Sequence, residues 1–395
     1  MKKSTIPQGG MTTSEGTVTE NPESITVDID DIPVNDSNRI NLQRDILWPS
    51  GEIRDRSALL FLNQAIQIPF NLFDQLWQSH SVKVCADGGA NRLYEYLGQH
   101  DLRDSVPNSG DPNGKKAELY KSYLPNYIIG DLDSLRDDTR KIYESLGVAV
   151  IQQTTQYSTD LMKSINLISL HYNSNKFRDT FNPKLKNCGI PLEHGIHDMY
   201  KELQQQPQQP RSHKGTNSKD GKITDDRQRV NILVIGGIGG RFDQTMHSIV
   251  ELYQVHNRRE LASPYHLRMF YLSESDLIFL VPKGGFIIDY SGDGNVNGQT
   301  KLNSDTGVGV AVDEEDFRRE CIGNCGVLPI GQGTVLVATR GLKWDVNNWA
   351  TSISSGRVSS SNRFVGKGRC YINSRDDIVI SIEVFIDKLC RKLAR

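Results

Sequence analysis

The sequence predicts an α/β chain, an open parallel-sheet domain followed by an all-β sandwich domain. Two observations carry this. Continuous apolar runs alternate with helix-period segments from Ser57 to about residue 256, and beyond Ser263 short strand-like runs follow one another with only turn residues between them. A third observation says where the chemistry lies. Asp87-Gly88-Gly89-Ala90-Asn91, Gly130-Asp131-Leu132-Asp133-Ser134, Gln156-Tyr157-Ser158-Thr159-Asp160 and Gly236-Gly237-Ile238-Gly239-Gly240-Arg241-Phe242-Asp243-Gln244 each stand where a strand-like run gives way to a helix-like one. The carboxyl ends of an open parallel sheet line one crevice, so loops distant in sequence meet there.

In chain order, residues 1–40 are rich in Ser, Thr, Asn, Asp and Glu without sustained periodicity, and read as a flexible leader. Residues 41–262 read as the α/β domain. Ala58-Leu59-Leu60-Phe61-Leu62 is apolar throughout and ends at Asn63-Gln64, as expected of a strand buried on both faces. Val82–Ala86, Tyr127–Ile129, Val148–Ile151 and Ile232–Ile235 repeat that style. Helical spacing follows most of them, with Leu93, Tyr94 and Leu97 after Asn91, and Leu161, Ile165 and Ile168 after Asp160. Between about 173 and 229 the alternation breaks, and Gln204–His213, rich in Gln and Pro, reads as part of a low-complexity insertion in a surface loop. A smaller polar insertion falls at Asn108–Lys116. Residues 263–395 read as the sandwich, with strand-like runs at 267–271, 277–281, 285–289, 308–312, 334–338 and 378–382.

Composition narrows the partners. A chain of 395 residues has room for two or three units. A net charge of −2 gives no electrostatic case for nucleic acid, whose binders usually show a basic face. Met1–Pro7 has no apolar core of a targeting signal and no apolar stretch reaches 18 residues, so no membrane partner is expected. Six cysteines are sparse, and Cys321 and Cys325 lack a second pair at zinc spacing, which suits free thiols in the reducing cytoplasm.

The clusters differ in what each implies. Asp131 and Asp133 are two apart, so in extended backbone both carboxylates point to one side and can share a cation, while Ser134 with Asp137 resembles a helix-capping box. Asp87-Gly88-Gly89 alone is a common turn, but after a buried strand its glycines let a phosphate approach the backbone. Thr159-Asp160 opens a helix, with Lys163 a turn later as an ordinary solvated partner. Gly236–Arg241 fails the dinucleotide pattern, since the third glycine of G-x-G-x-x-G would fall on Phe242, and no GxxxxGK[ST] loop exists. What remains is a donor-rich turn followed by Arg241, whose planar fork suits phosphate oxygens. Many carboxylates beside glycine turns suit Mg²⁺ and polyphosphate, hence phosphoryl transfer. Another Mg²⁺-dependent phosphotransferase on the same scaffold, or a non-catalytic nucleotide sensor, stays open on these residues alone.

With these four segments in order, and Thr339-Arg340-Gly341-Leu342-Lys343-Trp344 and Val358-Ser359-Ser360-Ser361-Asn362 behind them, the chain resembles the thiamine pyrophosphokinase family. The resemblance covers residues 57–172 and 230–256 and resumes in the β domain; the leader and glutamine-rich insertion lie outside it and suggest a fungal-type member. It implies an ATP-binding domain joined to a β-sandwich in a homodimer whose active sites lie where subunits meet, with thiamine and ATP as substrates. It further implies that Asp87, Asp131, Asp133 and Asp160 surround Mg²⁺ and the phosphates, with Asp131, Asp133 and Asp160 as metal ligands. Gly88, Asn91, Gln156 and Thr159 would flank them, and Gly239, Gly240, Arg241, Asp243 and Gln244 would complete the floor. Trp344, Ser361 and Asn362 would contact thiamine from the partner subunit. Gln244 stands where the family often has His, so no histidine base is expected there.

Overall fold

The computed structural model of the protein describes residues 16–28, 32, 34, 38–49, 54–101, 119–181, 190–205, 228–257, 265–291 and 314–393. Two short strands come first, Thr17–Glu20 (β1) and Arg39–Asn41 (β2). The buried apolar runs then form Ser57–Phe61 (β3), Val82–Ala86 (β4), Tyr127–Gly130 (β5), Ala149–Gln152 (β6), Gln228–Ile235 (β7) and Tyr265–Leu272 (β8). These six pair in parallel in the order β8-β7-β3-β4-β5-β6. Alternate residues of β3 serve two cores. Leu59 and Phe61 pack with Leu72, Phe73 and Leu93, whereas Ala58 and Leu60 pack with Ile165, Ile168 and Leu252. Helices therefore cover both faces, which is why the strands are apolar throughout. The winding reverses beside β3, with β4 to β6 on one side and β7 and β8 on the other, and a crevice opens there at the strands' carboxyl ends.

The sheet does not stop at β8. Asp276–Val281 (β9) pairs antiparallel with it, and Ile322–Leu328 (β11), Ser359–Arg363 (β14) and Ile378–Val384 (β16) extend it to ten strands. Gly284–Asp289 (β10), Thr334–Arg340 (β12), Trp344–Thr351 (β13) and Arg369–Ser374 (β15) form a second sheet with β1 and β2. Phe279, Ile380 and Val327 of the long sheet share one core with Phe286, Ile288, Leu336 and Ile372 of the second, giving the expected sandwich.

Three boundaries differ from the sequence reading. The α/β half runs past residue 263, because β8 pairs in parallel with β7 from Tyr265 to Leu272; a short apolar run looks the same in either kind of sheet. The leader is not free throughout, since β1 pairs with β13 and β2 with β10. Strand β1 is an exposed edge held through its backbone, and such a strand needs no apolar alternation. The insertion begins later than Asn173. Helices Asn175–Thr180 and Gly195–Gln205 precede it, and Ile196, Tyr200 and Leu203 are buried in the same core as Ile165. The sandwich half also carries helices at Glu314–Cys321 and Ile386–Leu393. The segments 108–116, 206–213 and 308–312 lie outside the described residues. Among the described residues no helix is long and apolar enough to cross a membrane.

Candidate active site

Strand β4 ends in a tight turn that sets Asp87 at φ 44°, an uncommon conformation for a residue with a side chain. Its N–H donates to Ile129 O at 2.9 Å and its Oδ2 accepts from the Ser134 N–H at 3.2 Å, so the loops after β4 and β5 are joined. Glycine is needed for this approach: a Cβ on Gly130 would stand 2.6 Å from Asp87 Cβ, and one on Gly89 2.3 Å from Phe61 O. Asn91 ties the same loops, donating through Nδ2 to Ser134 O at 2.7 Å and accepting from the Arg136 N–H at 3.2 Å. Gly88 packs against Asn63, whose amide would lie 2.4 Å from an added Cβ.

Asp160 arrives from the other side, at the start of the helix Asp160–Asn173 that Thr159 caps by accepting from the Met162 N–H at 3.2 Å. Asp160 Oδ1 accepts from the Asp131 N–H at 3.3 Å and from Lys163 Nζ at 2.9 Å. Asp131 Oδ2 accepts from Gln156 Nε2 at 3.0 Å. One carboxylate oxygen each from Asp87, Asp131 and Asp160 lies within 4.8 Å of the others.

Asp133 is not in that group. Leu132 sits at φ 67°, which breaks the extended alternation that would have put Asp131 and Asp133 on one side. Asp133 is exposed, its carboxylate accepting from Ser134 Oγ at 3.0 Å. Ser134 does not cap a helix either, because the helix Asp137–Ser145 begins after Arg136 without a side-chain cap.

Burial, then the neighbouring Asp160 charge, pushes the Asp87 carboxyl up to about 6. Its Oδ1 is buried and has no hydrogen-bond partner among the described residues. Burial also raises Asp160, against the pull of Lys163. Burial acts upward on Asp131 as well, but the Gln156 amide and the Asp133 N–H outweigh it and hold the group below its usual range. An unpartnered buried carboxylate oxygen beside two more carboxylates, all hard oxygen donors, fits a small divalent cation. Lys163, expected from the sequence to be a solvated partner of Asp160, has its side chain only 4% exposed and belongs to the cluster; its position among Leu161, Ile165, Leu167 and Ile168 was the available signal.

The glycine turn lies on the crevice's other wall. Gly239 and Gly240 have φ 96° and 63°, and Gln64 Nε2 donates to Gly239 O at 2.5 Å. Arg241 and Asp243 are exposed and paired with each other at 2.5 and 3.1 Å, and Gln244 is exposed beside them. Among the described residues no hydrogen bond or ion pair ties these three to the acidic cluster. A cavity of about 390 Å³ opens at the switch between β3 and β7, lined by Gln64, Gln67, Gly236, Gly239, Ser273 and Asp276 among others. Of these, Gln67, Ser273 and Asp276 gave no signal in sequence, because only the sheet order brings them together.

In the sandwich, Trp344 begins β13 with 38% of its surface exposed. Asn362 is buried and committed to Trp344's backbone, its Oδ1 accepting from the Trp344 N–H at 3.1 Å and its Nδ2 donating to Trp344 O at 2.9 Å. Ser361 is exposed on edge strand β14. Asn362 thus holds the Trp344 backbone, while the Trp344 and Ser361 side chains are exposed.

A doubly wound sheet with carboxylates and a glycine turn along its carboxyl edge, carried on into a β-sandwich, is the framework of a phosphate-transferring α/β enzyme. Residues 73–181 match the family described as "Thiamin pyrophosphokinase, catalytic domain" and residues 315–379 "Thiamin pyrophosphokinase, vitamin B1 binding domain". The chain is 43% identical to the thiamine pyrophosphokinase of Saccharomyces cerevisiae over 373 residues, 94% of this chain and 97% of that protein. It is 25% identical to thiamine pyrophosphokinase 1 of Oryza sativa over 85% of this chain and 90% of that one. The crystal structure of the yeast enzyme superposes with a TM-score of 0.72 at 41% identity, covering 95% of this chain and 99% of that one. The solved structure of thiamin pyrophosphokinase from Candida albicans gives 0.63 at 29% identity, covering 94% of this chain and 99% of that one. The chain belongs to the thiamine pyrophosphokinase family.

Proposed function

We propose that this protein transfers the pyrophosphoryl group of ATP to the hydroxyl of thiamine, releasing thiamine diphosphate and AMP, with Mg²⁺ as its metal ion. The observation that carries the reading is the meeting of Asp87, Asp131 and Asp160, from three separate loops, within 4.8 Å at the crevice. These residues would hold the Mg²⁺, which when bound neutralises phosphate charge. Lys163 and Gln156 orient Asp160 and Asp131 for that task. Asp133, exposed at the edge of the cluster, would meet the phosphate side of the substrate.

The remaining barrier reduction comes from positioning, since transfer needs the thiamine hydroxyl in line with the β-phosphorus. Gly239 and Gly240 offer close backbone approach, and Arg241, with Asp243 and Gln244, supplies a guanidinium fork for phosphate oxygens. The cavity beside Gln64 and Gly236 suits the nucleotide. Trp344 would stack on the cationic thiamine with Ser361 at its edge, and we assign that contact to the partner subunit of a homodimer, in which these exposed groups would be covered. The five described cysteines, buried and free, suit the cytoplasm.

The test is AMP release from ATP, with and without thiamine and Mg²⁺. Release that ignores thiamine but responds to another alcohol would transfer the reading to a different acceptor.

A further inference from the structure

We propose that the N-terminal strap, residues 16–27, is a positioning element for the vitamin side of the active site, with Asn21 as its key residue. The inference rests on the reading that Trp344 contacts thiamine. Strand β1 runs antiparallel to β13 in a register that sets Glu20 opposite Trp344. Immediately after it, the Asn21 N–H donates to Lys343 O at 2.8 Å, and Asn21 Nδ2 donates to Leu342 O at 2.7 Å and to Asp345 Oδ2 at 2.6 Å. Lys343 returns the contact through Nζ, donating to Asn21 O at 2.7 Å and lying 3.1 Å from Glu23. Further along, the Ile25 N–H donates to Val365 O and the Lys367 N–H to Ile25 O, each at 2.8 Å. Val27 completes the seal. Its Cγ2 lies 2.8 and 2.7 Å from where a Cβ on Gly341 or Gly366 would stand, so it fills the space that those glycines leave.

The loop so clamped is not held by regular pairing alone. Gly341 turns at φ 92°, and the buried Asp345 carboxylate gathers donors from Thr339 Oγ1, the Gly341 and Leu342 N–H groups, and Asn21 Nδ2. Three of the four donors are local; the fourth comes from the strap. Asn362 grips the Trp344 backbone from β14, so the tryptophan is fixed by two segments far apart in sequence. Prefixing a half-exposed aromatic removes ordering cost from ligand binding, and loosening it returns that cost to the ligand. The strap therefore acts on thiamine affinity and leaves the phosphate side alone.

Steady-state kinetics of wild type, Asn21→Ala, the milder Asn21→Ser and Trp344→Ala, each with thiamine varied and then ATP varied, test this. We expect the Asn21 variants to raise the thiamine KM by roughly tenfold, as for loss of a donor to a buried carboxylate, with ATP KM and kcat within about threefold of wild type. An unchanged ATP KM also shows that the variant is folded, and the serine variant covers failure of the alanine one. If Trp344→Ala raises the thiamine KM and the folded Asn21 variants do not, the strap does not position the site. A fall in melting temperature with both KM values unchanged would reduce it to a stability element and overturn the inference equally. Should Trp344→Ala itself leave the thiamine KM unchanged, the assignment of Trp344 to the vitamin fails, and the strap's role with it.

Discussion

Lys163 Nζ donates to Asp160 Oδ1 at 2.9 Å from a buried position, so the acidic cluster contains its own cation. Lys163→Ala strands Asp160 beside two other carboxylates. The expected loss is about 3 kcal/mol in Mg²⁺-free buffer, the low end for a broken buried pair because Asp160 keeps some water contact. Mg²⁺ should then raise the melting temperature of the variant more than that of wild type, since it takes over the neutralising role. Equal increments in thermal unfolding would remove Lys163 from the charge balance.

Asp131→Ala and Asp160→Ala are each expected to lower kcat by about 10²–10³-fold, as for loss of one preorganised electrostatic group. Asp133→Ala should cost less, because its carboxylate lies outside the cluster that Asp87 completes. A kcat ranking with Asp133→Ala as the most damaging would mean that substrate rearranges the Leu132 turn.

His80 closes the helix Phe70–Ser79 with its ring Nδ1 2.8 Å from Leu76 O, and burial drives its pKa down to about 4 from 6.5. Above pH 6.5 the imidazole is neutral in both states and costs nothing. As pH falls towards 4 the unfolded chain takes up a proton that the folded one refuses, so stability is lost across that window, by on the order of 3 kcal/mol. His80→Asn keeps a donor for Leu76 O and has no titration. Denaturant unfolding from pH 7 to 4 should show a shallower acid loss in this variant; parallel curves would show that His80 does not contribute.

Leu203, 4% exposed on the helix Gly195–Gln205, packs into the core that holds Ile165 and Ile168. Leu203→Ala should therefore cost about 2–4 kcal/mol. Replacing residues 206–222, whose Gln/Pro-rich composition cannot build a core, by a Gly/Ser linker should leave melting temperature and activity nearly unchanged. The reverse ranking in a melting experiment would put the structural boundary beyond residue 206.

If thiamine is bound across a dimer, an Asp131→Ala chain and a Trp344→Ala chain should complement each other. A heterodimer has one site with both lesions and one with neither, and two-fold symmetry predicts up to about half of wild-type activity per heterodimer. Mixing under subunit exchange, with heterodimer formation verified by native mass spectrometry, checks this. Inactive heterodimers would place Trp344 in its own chain's site or in the sandwich core.

Sequence by itself determined the alternation of buried strands and helices up to β7 and the four polar clusters at the strand ends, because apolar runs and glycine turns report local backbone requirements. It also brought four aspartates, Asp87, Asp131, Asp133 and Asp160, to one sheet edge, of which Asp87, Asp131 and Asp160 share the cluster. Tertiary structure decided which carboxylates share a site. The φ of 67° at Leu132, which removes Asp133 from the cluster, is invisible in a Gly-Asp-Leu-Asp string. It likewise buried Lys163 and Leu203, assigned β8 to the parallel sheet, and turned part of a polar leader into the strap over Gly341–Trp344. Each of those outcomes rests on pairing or burial between segments far apart in the chain. Residue type and local spacing carry information only about near neighbours, so the contacts that single out Asn21 or Lys163 exist only once the two sheets have packed.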